Sequence, residues 1–211
     1  MHIYLIESTP VDGLASATLQ VLSYISSELN IISVSMNSPT PTSFYVGFYS
    51  GDLKTPVDKL NIDEVLAQNP KELENRHAYI QCLFPSPKPS EFHPEAVPEV
   101  FTPEAAEEML KNDGIMKNVN RSIDTMFAHW GLERDKDNNV TIVKQASFKN
   151  RLYKTDHNQM RMTRLFEFLK MMKQLELMEN LLRLLAAKVP WNSTALKYWK
   201  KVCSSCGIEL D

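Results

Sequence analysis

Apolar residues recur along this chain mainly at helical spacing. Over 13–35, Leu14, Ala17, Val21, Ile25 and Leu29 fall at three- and four-residue steps and predict an amphipathic helix, with Thr9 or Asp12 as its start signal. The polar run 37–43, which holds Pro39 and Pro41, ends it and reads as a linker. Shorter helical patterns follow over 57–68 (Val57, Leu60, Ile62, Val65, Leu66) and 71–84 (Leu73, Tyr79, Ile80, Leu83, Phe84). The clearest spans 115–130, where Ile115, Met116, Val119, Ile123, Met126, Phe127 and Trp130 share one face opposite Arg121, Asp124 and Thr125. Gly131 suits the cap at its C-terminus. Three more helices are predicted over 158–174, 177–189 and 192–203, the last started by Asn192 or Ser193. Strand-like alternation is nearly missing, and 140–143 alone reads as a brief strand or extended link. The fold class expected is all-α, a multi-helix bundle whose short loops favour antiparallel neighbours.

One stretch breaks the pattern. Six of the 12 prolines fall between Pro85 and Pro103, and proline both lacks an amide donor and restricts the residue before it. Interleaved Phe92, Val97, Val100 and Phe101 give this stretch an apolar side, so it is expected to lie extended, wrapped over the core. Thr102 and Pro103 then supply an N-cap and a first-position proline for a further helix. The domain division expected is a helical extension and linker at 1–43, a helical domain at 44–203 and a tail at 204–211.

Composition narrows the class. With 211 residues, 43% hydrophobic and 23% charged, the chain is ordinary globular protein and neither disordered nor collagen-like. Its formal charge of −3 conceals a split: residues 1–110 carry 15 acids and 5 bases, residues 111–211 carry 11 acids and 18 bases. Such halves either face one another or leave a basic surface for a partner. The acidic half argues against a nucleic acid as that partner. The apolar start at Ile3 is too short for a signal-peptide core, and no apolar run approaches the roughly 20 residues of a spanning helix. Three cysteines are too few for a disulfide framework and point to a reducing compartment.

Enzyme signatures are missing, which lowers the expectation of catalysis. Cys203 and Cys206 form one CxxC with no second ligand pair, and they follow a helix instead of starting one, so neither zinc nor redox chemistry is expected. The histidines (His2, His77, His93, His129, His157) are dispersed in sequence. Asp135, Asp137, Asn138 and Asn139 lack the glycine and terminal glutamate of a calcium loop. No cofactor is expected. The candidate site is the cluster from Asp156 to Arg164: a helix starting near Asp156–Asn158 would offer free amides, with His157, Asn158, Arg161 and Arg164 near them and Gln81 as a further polar group. Between 144 and 173 eight bases face only Asp156 and Glu167. Phosphate, a carboxylate terminus or an acidic peptide or protein partner would suit them. A binding module is the first functional reading; the second is an enzyme, or a protein for a small phosphate or other small anionic ligand, that uses His157, Arg161 and Arg164. The alternative is that Arg161 pairs with an acid of the N-terminal half. Trp191, Tyr198 and Trp199 are read mainly as core, and the tract 79–85 as a groove floor or a buried helix end.

Several motifs in order resemble the conserved domain of the opioid growth factor receptor family. They are Phe48-Tyr49-Ser50-Gly51, then His77-Ala78-Tyr79-Ile80-Gln81-Cys82-Leu83-Phe84-Pro85, then Pro89-Ser90-Glu91-Phe92-His93-Pro94. Phe127-Ala128-His129-Trp130-Gly131-Leu132, His157-Asn158-Gln159-Met160-Arg161-Met162-Thr163-Arg164-Leu165 and Thr194-Ala195-Leu196-Lys197-Tyr198-Trp199 complete the set, covering about 44–203. Gln159 stands where the family usually has a second histidine, and Cys82 where a tryptophan is common. The animal receptor binds an enkephalin peptide and is nuclear-associated. The resemblance therefore implies a receptor-like peptide- or protein-binding module in a short, domain-only member, cytoplasmic or nuclear-associated, or exported to a host if microbial.

Overall fold

Local signals set most element boundaries. Ser43 caps a first helix, α1 (Phe44–Ser50), by accepting from the Tyr45 amide, and Gly51 closes it in the left-handed region at φ +90°. Two Asn-x-x-Glu capping boxes start the next short helices, α2 (Ile62–Leu66) from Asn61 and α3 (Pro70–Asn75) from Asn69. In each, the asparagine accepts from a first-turn amide while the glutamate returns to the asparagine N–H. The computed structural model describes residues 43–90, 93–153, 156–190 and 193–210. The expected helix over 13–35, the linker as far as residue 42, Phe92 and Trp191 lie outside the described residues.

The chain continues through α4 (Ile80–Leu83), a 3₁₀ turn at Pro94–Ala96, α5 (Pro103–Leu110), α6 (Asp113–Trp130), an antiparallel hairpin of β1 (Leu132–Arg134) with β2 (Val140–Ile142), and then α7 (Gln145–Leu152), α8 (His157–Met171), α9 (Leu175–Lys188) and α10 (Thr194–Ser204). The fold is mostly α, with ten helices and one two-stranded sheet among the described residues. No described helix is long and apolar enough to cross a membrane.

α6 and α8 form the frame. The α6 face expected from sequence is buried: Ile115, Val119, Ile123, Met126, Phe127 and Trp130 are each at most 1% exposed. α8 buries Met162, Leu165, Phe166, Phe168 and Leu169, with α9 and α10 packed on it and α7 bridging it to α6. Phe168 is a hub, 6.2 Å from the Tyr49 ring, 5.6 Å from Phe84 and 5.8 Å from Phe101. That cluster fastens α1, the end of α4 and the proline-rich stretch to one point on α8.

Three predicted elements differ. The 57–68 pattern yields only α2, because 55–60 closes into a turn in which Thr55 Oγ1 accepts from the Leu60 amide and Lys59 sits at φ +57°. The 71–84 pattern splits into α3 and α4 at Arg76, which is extended at ψ 136°. The proline-rich stretch does cover the core, with Ala96 and Phe101 buried, its ends joined by the Phe101 amide to the Ser86 carbonyl, and Tyr45 donating to the Glu99 carbonyl at 2.7 Å. Val100, expected to face the core, is instead 43% exposed.

Candidate functional site

α8 begins where Asp156 accepts from the Asn158 amide at 2.7 Å. His157 and Arg161 are four residues apart and Arg161 and Arg164 three, so all three project from one face. That face meets the break between α3 and α4. Arg161, only 3% exposed, donates to the Arg76 carbonyl at 2.6 Å and to the Glu74 carbonyl at 3.5 Å, and lies over the Tyr79 ring at 5.5 Å. Arg164 Nε donates to the Phe84 carbonyl at 3.2 Å, at the end of α4. Each arginine thus serves the carbonyl end of a short helix, where a cation is favoured. Burial lowers both guanidinium pKa values without removing the charge. Arg161 is bonded to the N-terminal half as the alternative reading required, but through backbone carbonyls and not a carboxylate.

Above them opens a cleft of about 590 Å³. His157, Arg161, Arg164 and Gln81 line it. Asn158 does not: it is fully buried beneath, accepting from Trp130 Nε1 at 3.1 Å and Arg161 at 3.3 Å and donating to Glu74 Oε1 at 3.0 Å. Its role is to position the arginine and the carboxylate. Glu74 also meets His157 Nε2 at 2.9 Å, His129 Nε2 at 2.9 Å and Arg151 Nε at 3.2 Å. Partial burial opposes ionisation of Glu74, but His129, His157, Asn158 and Arg151 outweigh it and hold the carboxyl below its usual range. His129 is pushed the other way: burial, with Arg151 beside it, lowers its pKa to about 4, so it is neutral at pH 7.

The cleft also contains residues that sequence spacing did not single out. His77 stacks on His157 with ring centroids 4.9 Å apart, and His93 meets His77 edge-on at 6.3 Å. Lys88, Ser90 and Glu167 line the walls, and Met160 and Tyr198, 46% and 59% exposed, give them an apolar part. His77 and His93 stand far from His157 in the chain, so only the fold reveals the grouping. The one available signal was their place in the quoted motifs. Tyr198 projects outward because its neighbour Trp199 is anchored, donating to Thr163 Oγ1 at 2.9 Å and stacked on Phe166.

The basic stretch from 144 to 173 divides between tasks. Arg151 pairs with Glu74, Lys173 with Glu107, and Lys144 lines a second depression near Arg134. Of its bases, Arg161 and Arg164 alone reach the cleft among the described residues. Gln159, at the position of the family's second histidine, is buried and donates to the Leu152 carbonyl at 2.9 Å. Cys82, at the position of the common tryptophan, is fully buried beneath the proline-rich stretch, its thiol 3.5 Å from the Ala96 carbonyl. Cys82, Cys203 and Cys206 are free thiols. No group of three or more His, Cys, Asp or Glu among the described residues is placed to hold a metal ion.

The molecule is therefore a helical domain with a cationic cleft at the junction of a broken helical segment, a proline-rich cover and one arginine-bearing helix. Residues 40–195 match the opioid growth factor receptor (OGFr) conserved region. The chain belongs to that family. Comparison with curated proteins and with solved structures found no match.

Proposed function

We propose that this domain is a non-enzymatic binding module that holds an acidic segment of a peptide or protein partner in the cleft. One observation carries the reading. Arg161 and Arg164 are largely withdrawn from water and reach an open cleft, yet no carboxylate among the described residues lies within ion-pair distance of either. A buried cation without a counter-charge is costly unless something supplies one. The exposed Met160 and Tyr198 offer apolar purchase to the rest of such a segment. Family membership supports a receptor-like role for the same domain, in the cytoplasm or associated with the nucleus.

The test is fluorescence anisotropy with labelled acidic peptides and with neutral peptides matched in length. An acidic peptide is expected to bind, to weaken as salt rises, and to lose about tenfold or more in affinity in Arg164→Met, as for a charge-assisted contact worth at least ~1.5 kcal/mol. Equal binding of acidic and neutral peptides, or no effect of Arg164→Met, would sink the reading. A second reading rests on the Glu74–His157 pair, a carboxylate orienting an imidazole beside a guanidinium, as general acid–base catalysis on an anionic ester would use. Turnover of an aryl phosphate that stops in His157→Gln would favour that reading over simple binding.

A further inference from the structure

The groups that line the cleft are more basic than one carboxylate would use. His77 is met by Arg161 and His157 from α8, by His93 from the proline-rich stretch and by Glu74 from α3. Glu74 is the one acid in that set, and its oxygens are already taken by His129, Arg151, His157 and Asn158. Arg164 and Lys88 add positive charge, while Glu167 is engaged by Ser86 at 2.6 Å and Lys88 at 3.3 Å. Gln81, 4% exposed, lines the same cleft with Nε2 toward Ser90 at 3.4 Å and Oε1 unpaired among the described residues. His157 and His93 have carboxylate partners in Glu74 and Glu95. His77 has no hydrogen-bond partner among the described residues. Partial burial, then Arg161, His157 and His93, hold its pKa below the usual 6.5, so it is uncharged at neutral pH.

We infer that the cleft is a site for a phosphate monoester and that the imidazole of His77 takes up a proton as the dianion enters. This rests on the acid-binding reading above and narrows the acid. A carboxylate brings two oxygens and one charge, which Arg164 alone can answer. A phosphate monoester brings three terminal oxygens and a charge of about −1.5 to −2 at neutral pH. Such a charge reverses the field at His77 and favours its protonated form, which then donates a charge-assisted hydrogen bond of its own. Met160 and Tyr198 suit an ester that carries an apolar or aromatic group. A phosphorylated side chain of a partner and a small free phosphate ester share this chemistry.

The test uses the full chain and calorimetry at about pH 7 and about pH 8.5. Both lie above a phosphate ester's second pKa of about 6, so a pH response in that window belongs mainly to the protein. The probes are phenyl phosphate, benzoate, a phosphotyrosine peptide and the same peptide with glutamate at that position. Phenyl phosphate is expected to bind about tenfold or more tighter than benzoate, consistent with its second charge. Its affinity should rise about threefold or more from the higher to the lower pH, because a raised pKa in the complex means proton uptake on binding. Titration in two buffers of different ionisation enthalpy counts that proton. His77→Asn, a change at an exposed side chain, should keep the wild-type circular dichroism and lose both the uptake and the pH response. The ranking of phenyl phosphate against the phosphopeptide identifies the source. Phenyl phosphate no tighter than benzoate, or uptake unchanged in His77→Asn, overturns the inference. Equal affinity for the glutamate peptide and the phosphopeptide overturns it too, while leaving the acidic-partner reading intact. If no acidic probe binds, both fall.

Discussion

At Glu74 a single carboxylate serves side chains from three helices: His129 of α6, Arg151 of α7, and His157 and Asn158 of α8. The arrangement asks opposite things of its members. Glu74 must stay ionised beside Arg151, whereas His129, with no exposed side-chain surface, stays neutral because burial outweighs the nearby carboxylate. The unfolded chain imposes no such condition on His129. Between pH 6.5 and about 4 the unfolded state therefore binds a proton that the native state refuses, and stability falls as pH falls. The contribution is fully present above 6.5 and is lost progressively toward about 4, a loss of at most roughly 3 kcal/mol. Glu74, whose folded pKa is below its ordinary value, loses its own contribution only at still lower pH. Urea midpoints measured from pH 7 down to 4.5 should thus decline in the wild type and decline less in His129→Gln. Parallel curves for the two proteins would contradict the assignment.

At the scale of elements, closing α6 depends on one backbone position. Gly131 sits at φ +79°, its carbonyl accepts from the Val143 and Lys144 amides, and a Cβ placed there would come within 2.4 Å of the Lys144 carbonyl. Gly207 has nearly the same φ, +78°, with open space around it. Gly131→Ala should cost about 2–4 kcal/mol, the left-handed penalty plus displacement of the α7 entrance, and Gly207→Ala only about 1 kcal/mol. Denaturant titration of the two variants separates clash from conformational strain, and equal losses would mean the close approach is relieved easily. Gly131 was legible in sequence because a strong apolar stripe ends beside it. The long helices and the Thr102–Pro103 start were legible for the same reason, each having local signals that agree. α7 was not, since Phe148 and Leu152 are its only buried side chains and the rest of its surface reads as loop. β1 has three residues, too few to show alternation. The break at Arg76 was hidden because the apolar spacing continues across it, and what holds it open is Arg161, 85 residues further on. The candidate site divides along the same line: the α8 residues were readable as one helical face, whereas His77 and His93 reach it only through tertiary packing.

Across the whole molecule the two oppositely charged halves do meet, at Asp63–Arg121, Glu74–Arg151 and Glu107–Lys173. The first and last of these are exposed, and exposed pairs contribute little. The connection that matters is made by Arg161, which joins α8 to the end of α3 from a buried position. Arg164, one turn away, makes a single bond, to the Phe84 carbonyl, among the described residues and lines the cleft. Arg161 therefore carries the junction between the halves, while Arg164 makes the lesser structural contact and lines the cleft. Arg161→Met should leave the end of α3 at the Arg76 carbonyl without its donor and the Asn158 side-chain oxygen with Trp130 alone, at a cost of roughly 3 kcal/mol, a large share of the 5–15 kcal/mol typical of a domain. Arg164→Met removes a largely desolvated charge that has no acidic partner among the described residues, so its cost should stay within about 1 kcal/mol, and a small gain is consistent with the same physics. Binding of an acidic peptide should show the reverse order when each variant is measured under conditions where it remains folded. Tryptophan fluorescence in urea gives the first ranking and anisotropy the second. Arg164→Met emerging as the more destabilised variant would mean that both arginines are structural, and that the cleft above them is a consequence of packing.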